Sequence, residues 1–207
     1  MTYLNNPFVG QTPLESSGLR DLVDTAKLSF SRGWVQGTSG NFSLRLRKGL
    51  IWQSPSGLCK GSLKVNSFIP IALETGEQLF PLKAKPSEEM PVHLAIYSRD
   101  NTAGCVVHVH LPQLSRHMGE KKLVTFEGEE MLKVLGCRDF HDQLQLKVAP
   151  NQTRQNISDF CRREIDEFIN WSVKMLIFSK HGVYAWGKDP FAALKRIEAL
   201  EFLCQKN

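Results

Sequence analysis

No run in this 207-residue sequence approaches the roughly 18 consecutive apolar residues that cross a bilayer, which excludes a membrane-spanning helix. Cysteine is scarce, with five residues and no CxxC pair, so reduced thiols are expected rather than a disulfide framework. The opening MTYLNNPFVG lacks the basic and apolar segments of a secretory signal, and a cytoplasmic location is expected. Neither GxGxxG nor GxxxxGK[ST] occurs, so nucleotide binding has no support. The basic surplus is small: 26 Lys+Arg against 21 Asp+Glu give +5. Its densest runs, Arg45-Leu-Arg-Lys48 and Cys161-Arg-Arg163, carry no interleaved aromatics, so no nucleic-acid partner is expected.

What is present is an ordinary globular composition, 42% hydrophobic, enough for one core. A single domain over 1–207 is expected, with 1–13 an irregular N-terminal arm. Apolar residues at 19, 22, 23, 26 and 30 mark one helix face, which Gly33 ends. Phe42, Leu44 and Leu46 alternate, and Leu50-Ile-Trp52 follows a Lys48-Gly49 turn, which reads as a strand pair. Phe68–Leu73, Gly104–His110, Val173–Phe178 and Val183–Trp186 read as further strands. Ser87 is placed to cap a helix over 88–99, and helices are expected over Ser158–Asn170 and Asp189–Gln205, the last capped by Asp189 with Pro190 behind it. Helices at both ends and between strand groups, with hairpin-like spacings, predict a layered α/β domain whose sheet is largely antiparallel.

Chemistry concentrates in the six histidines. His108 and His110 are two apart on a strand, so both rings face one side. Such a pair is either half of a metal site or a strand that happens to carry two histidines. His181, between a strand and a glycine, is the best candidate for a third ligand. His93 stands one helical turn after Glu89; it can orient that carboxylate, support a ligand, or lie on the helix surface. His117 and His141 sit in loop-like surroundings. Two Ser/Thr/Gly-rich loops, Gly37–Ser43 and Ser54–Gly57, are either ordinary turns or a cradle of hydroxyl and amide donors for a phosphate, with Lys60 as a point charge.

Five motifs then occur in a specific order: Thr38-Ser-Gly-Asn-Phe-Ser43, Ser54-Pro-Ser-Gly57, Lys85-Pro-Ser-Glu-Glu89, Val107-His-Val-His110 and Lys180-His-Gly-Val-Tyr-Ala-Trp-Gly187. In this order they resemble the class II aldolase/adducin family, from about Leu19 to Phe202. Within it, Arg32–Ser43 and Ile197–Leu203 are most similar to the branch that dehydrates methylthioribulose 1-phosphate in methionine salvage. The resemblance implies a three-layer α/β/α fold with a mostly antiparallel central sheet. It implies one Zn²⁺ per subunit, or another divalent metal, on His108, His110 and His181. Thr38, Asn41, Ser56, Gly57 and Ser87 match the phosphate pocket of a small phosphorylated ketose. Glu130 matches the acid/base of the dehydratases and Glu89 the base of the aldolases. Glu88 departs from the aldolase pattern and is expected to point away from the anion. Phe8, Phe126 and Phe140 are candidate contacts for the methylthio end. A homotetramer with active sites between subunits is also implied.

The alternatives are an aldolase or 4-epimerase on the same metal site and, from another class, a non-catalytic adducin-like module. The aldolase-type relatives use tyrosines, one from a C-terminal tail, whereas this sequence has only Tyr3, Tyr97 and Tyr184 and ends at Asn207. A non-catalytic module predicts eroded metal ligands, and all three histidines are present.

Overall fold

The computed structural model describes residues 13–80, 82–139 and 141–206. The arm expected over 1–13 lies outside these except for Pro13, which opens a helix, and Phe8 and Phe140 lie outside them too. The helices are α1 (Pro13–Ser31), α2 (Met90–Arg99), α3 (Pro112–Met118), α4 (Ile157–Arg163), α5 (Ile165–Phe168) and α6 (Pro190–Lys206). The strands are β1 (Asn41–Arg47), β2 (Leu50–Gln53), β3 (Ile69–Ala72), β4 (Cys105–Val109), β5 (Leu123–Phe126), β6 (Leu144–Ala149), β7 (Met175–Phe178) and β8 (Gly182–Gly187).

All eight strands form one sheet in the order β3-β2-β1-β4-β8-β7-β6-β5. Every pairing is antiparallel except β6 with β7. Alternation along the strands supplies two apolar faces, since successive side chains point to opposite sides. Phe42, Trp52, Val107 and Ala185 pack with Leu22 and Ala26 of α1 and with Ile197 and Leu200 of α6. Ile51, Val106 and Trp186 pack on the other face with Ile96 of α2, Phe160 of α4 and Ile165 of α5. The result is the expected three-layer α/β/α architecture with a mostly antiparallel sheet.

Local signals act where expected. Gly33 leaves α1 at φ +80°, and Asp189 Oδ1 accepts the Ala192 N–H at 2.7 Å, a cap worth about 1 kcal/mol. Three elements differ from expectation. The helix expected over 88–99 begins at Met90. Ser87 instead closes a turn, its carbonyl accepting the Met90 amide and its hydroxyl the Glu89 amide, so Glu89 flanks the helix with its side chain turned away from the helix's own amides. The helix expected over 158–170 breaks at Glu164 (φ −121°), a rotation that keeps both Ile165 and Ile169 buried. His117 belongs to α3 rather than to a loop, its ring stacked on Phe126 at 5.2 Å.

Candidate active site

Register brings the chemistry together. Asn41 on β1 lies opposite His108 on β4, and His108 lies opposite Tyr184 on β8, so all three share the face covered by α2. His110 follows two residues beyond His108 and keeps its direction. His181 enters from the turn before β8, where Lys180 adopts φ 53°. Gly182 makes the approach possible: a Cβ there would lie 2.4 Å from the Val109 carbonyl oxygen and under 3 Å from both the His108 and His110 rings.

The three imidazoles meet edge to face with ring centroids 4.9–5.0 Å apart, and their ligating nitrogens lie within 4.8 Å of one another. His108 Nδ1 is 3.1 Å from the Val183 carbonyl oxygen, which takes only a donor, so Nδ1 carries the proton and Nε2 presents a bare lone pair. That lone pair faces His110 Nε2 at 3.0 Å, near the roughly 3.3 Å separating two nitrogens on a tetrahedral metal with bonds of about 2.0–2.1 Å. Burial lowers the pKa of His108 to about 3 and also lowers that of His110, so both rings are neutral at pH 7, the state a ligand needs. This donor set fits a divalent cation.

Glu89 faces the same point, its oxygens 3.4 Å from His108 Nε2 and 3.0 Å from His181 Nε2. Burial works against its charge, but the facing His108 and the hydrogen bonds from His181 and Asn41 outweigh it and hold its pKa well below the usual carboxylate range. From there a cleft of about 250 Å³, sized for a small metabolite, opens between Thr38, Asn41, Ser56, Gly57, Lys60 and Ser87. Gly40 shapes its floor: at φ +68°, with a notional Cβ 2.8 Å from the His108 carbonyl oxygen, only glycine fits. Ser87 Oγ accepts from the Glu89 amide (3.2 Å) and from Asn41 Nδ2 (3.3 Å), which leaves its own proton to donate outward. Lys60 is 1% exposed and donates to the Thr38 and Leu58 carbonyls at 2.9 Å each, so it braces the Thr38 loop with one donor to spare.

Ten of the eleven expected site residues therefore gather at one place. Glu130 does not. It opens a 3₁₀ turn (Glu130–Leu135), its side chain is 73% exposed and paired with Lys133, and it does not line the cleft. Among the described residues the cleft holds a single carboxylate, Glu89. Phe126 is fully buried beneath His117 and does not line the cleft. Glu88 points outward to Arg154, as its clash with an anion requires.

His93 is not on the helix surface but completely buried. Its Nε2 lies 2.5 Å from Asn41 Oδ1 and its Nδ1 lies 2.7 Å from Ser43 Oγ, which in turn lies 2.9 Å from the Tyr97 hydroxyl. Ser43 and Tyr97 gave no chemical signal alone. Their spacing did carry one: Ser43 is two residues after Asn41 on a strand, and Tyr97 four after His93 on a helix, so each pair shares a face.

Comparison with known proteins agrees with this geometry. Residues 20–207 match the model of the class II aldolase and adducin N-terminal domain. The methylthioribulose-1-phosphate dehydratase of Sorangium cellulosum is 32% identical over 193 residues, covering 91% of this chain and 90% of that protein. The enzyme of the same name from Methylococcus capsulatus is 36% identical over 189 residues, covering 88% and 89%. Among solved structures, YgbL of Klebsiella pneumoniae has a TM-score of 0.72 at 22% identity over 94% of this chain and 90% of its own. An L-fuculose 1-phosphate aldolase has a TM-score of 0.72 at 16% identity over 92% and 84%. Motif order, fold and sequence match converge: the chain belongs to the class II aldolase and adducin N-terminal domain family.

Proposed function

We propose that this protein is a hydro-lyase of methionine salvage that converts 5-methylthioribulose 1-phosphate to 2,3-diketo-5-methylthiopentyl 1-phosphate. The observation that carries this is the similarity to dehydratases of that name at 32–36% identity over most of both chains, joined to an intact His108–His110–His181 cluster beside Glu89. The cleft is polar and donor-rich at one end, as a phosphate requires, and its triad argues against a non-catalytic module.

In this reading His108, His110 and His181 would hold one Zn²⁺ per subunit, which would supply Lewis-acid stabilisation of negative charge developing on the substrate. Thr38, Ser56, Gly57, Ser87 and the spare donor of Lys60 hold the phosphate, and Asn41 links this end to Glu89. Ionised Glu89 removes the C3 proton, the C4 hydroxyl takes up a proton and departs as water, and the resulting enol gains a proton at C4 and loses its C3 hydroxyl proton to give the diketone. Glu130, exposed on its own chain, serves as a second acid/base group in the cleft of a neighbouring copy within a homotetramer. The location is cytoplasmic, consistent with five free cysteines among the described residues and with no described helix long and apolar enough to cross a membrane. The test is turnover by the metal-loaded protein of methylthioribulose 1-phosphate beside fuculose 1-phosphate and ribulose phosphate. Preference for the first supports the reading; turnover of only the other two refutes it.

A further inference from the structure

The buried polar residues beneath Glu89 form one chain, and hydrogen-bond chemistry fixes its direction. An ionised carboxylate only accepts, so the group of Asn41 at 2.6 Å from Glu89 Oε2 is its amide NH₂. Asn41 Oδ1 then points inward as an acceptor, and the His93 Nε2 facing it at 2.5 Å carries a proton. His93 is fully buried, and burial lowers its pKa to about 4, so the ring is neutral and Nδ1 carries none. Ser43 therefore donates to Nδ1, and Tyr97 donates to Ser43. The whole series Tyr97–Ser43–His93–Asn41–Glu89 has a single consistent proton arrangement.

The opposite arrangement carries a definite penalty. With the proton on Nδ1, His93 would present a lone pair to Asn41. The amide would turn its NH₂ inward and its oxygen toward Glu89, setting two acceptors against each other in a buried site. The other neighbour of the Asn41 amide, Ser87 Oγ, breaks its near-symmetry less firmly, because a hydroxyl can donate or accept.

We propose that His93 is a positioning residue which, as its Nε2–H tautomer, locks the Asn41 amide NH₂ toward Glu89 and so fixes the rotation of that carboxylate in the cleft. This rests on the reading of Glu89 as the base of the dehydration. His93 touches neither substrate nor metal; it acts through Asn41.

Two readouts test it. In uniformly ¹⁵N-labelled, metal-loaded protein without substrate, long-range ¹H–¹⁵N spectra at pH 7.5 report which nitrogen of each ring is protonated, and loss of one pattern in H93Q identifies His93. A protonated Nε2 is expected; a protonated Nδ1 overturns the proposal. The second readout is kinetic. H93Q keeps a donor near the Nε2 position, whereas H93L removes it. H93L is expected to lose about 10–100-fold in kcat with KM and metal content little changed, and H93Q to recover most of that loss. Equal kcat in H93L and wild type, or an equal loss in both variants, contradicts the proposal. Should H93L fail to fold, the tautomer and the kcat of H93Q against wild type still decide. Because the tautomer is read without substrate, a failure of the dehydratase reading, seen in the wild type alone, remains distinct.

Discussion

Glu89 stands in the cleft where two imidazoles and an amide meet, and its low pKa keeps it ionised at neutral pH, as the proposed base must be. Replacing it with glutamine preserves the shape and the Asn41 contact but removes the proposed base. E89Q is expected to retain one metal per chain and to lose about 10²–10⁴-fold in kcat, measured by metal analysis and steady-state kinetics. Lys60 gives a pH signature. Burial lowers its pKa to about 8, so it is mostly charged at pH 7 and neutral above pH 8, while a phosphate monoester is already a dianion there. KM for a phosphorylated substrate should therefore rise above pH 8 in the wild type and stay flat in K60M. Much of the residue-scale site was legible, because the two-residue spacing of His108 and His110 fixes their common face. His93 was not, since helix periodicity near Glu89 is equally compatible with a surface ring and a buried one. Only the Asn41 register against β4 decides that.

At the scale of elements, Asp100 ties the end of α2 to β7 and β8. Its Oδ2 accepts from Lys174 Nζ and Trp186 Nε1 at 2.9 Å each, and its Oδ1 accepts the Thr102 amide at 2.8 Å. Lys174 sits just before β7 in a left-handed conformation, φ 61°. Burial opposes the charge of Asp100, but these hydrogen bonds outweigh it and hold its pKa well below the usual range. A depressed carboxylate contributes stability that is complete above the unfolded pKa, about 3.9, and is lost as pH falls through the folded value. D100N should lower Tm at pH 7, with the gap to wild type shrinking below about pH 4, as thermal denaturation across pH will read. Long helices and the hairpin around Gly49 were legible from periodicity and turn chemistry. The β5–β6 ribbon was not, because its first strand, Leu123–Phe126, has four residues and leaves Leu123 43% exposed, so alternation has almost no length in which to register. The break at Glu164 was equally hidden: no proline or glycine marks it, and the apolar spacing continues through it.

The molecule as a whole presents a cleft with one carboxylate among the described residues, Glu89, and on an exposed turn the carboxylate of Glu130, the proposed second acid/base group. If neighbouring copies exchange these groups, the defect is complementable. Either variant, E89Q or E130Q, should be nearly inactive alone. Unfolded together and reassembled in equal amounts, they should regain about a quarter of wild-type activity, since that share of clefts pairs an intact Glu89 with an intact Glu130 from another copy. No recovery would remove Glu130 from the chemistry. The overall architecture was legible because five short motifs fix it in order, whereas any assembly between copies depends on surfaces that periodicity does not describe. The most direct test of the central claim is the product formed from methylthioribulose 1-phosphate by the metal-loaded protein, identified by mass spectrometry and NMR. The account predicts the 2,3-diketone phosphate, the substrate less one water. Dihydroxyacetone phosphate with methylthioacetaldehyde, the products of cleaving C3–C4, would contradict it.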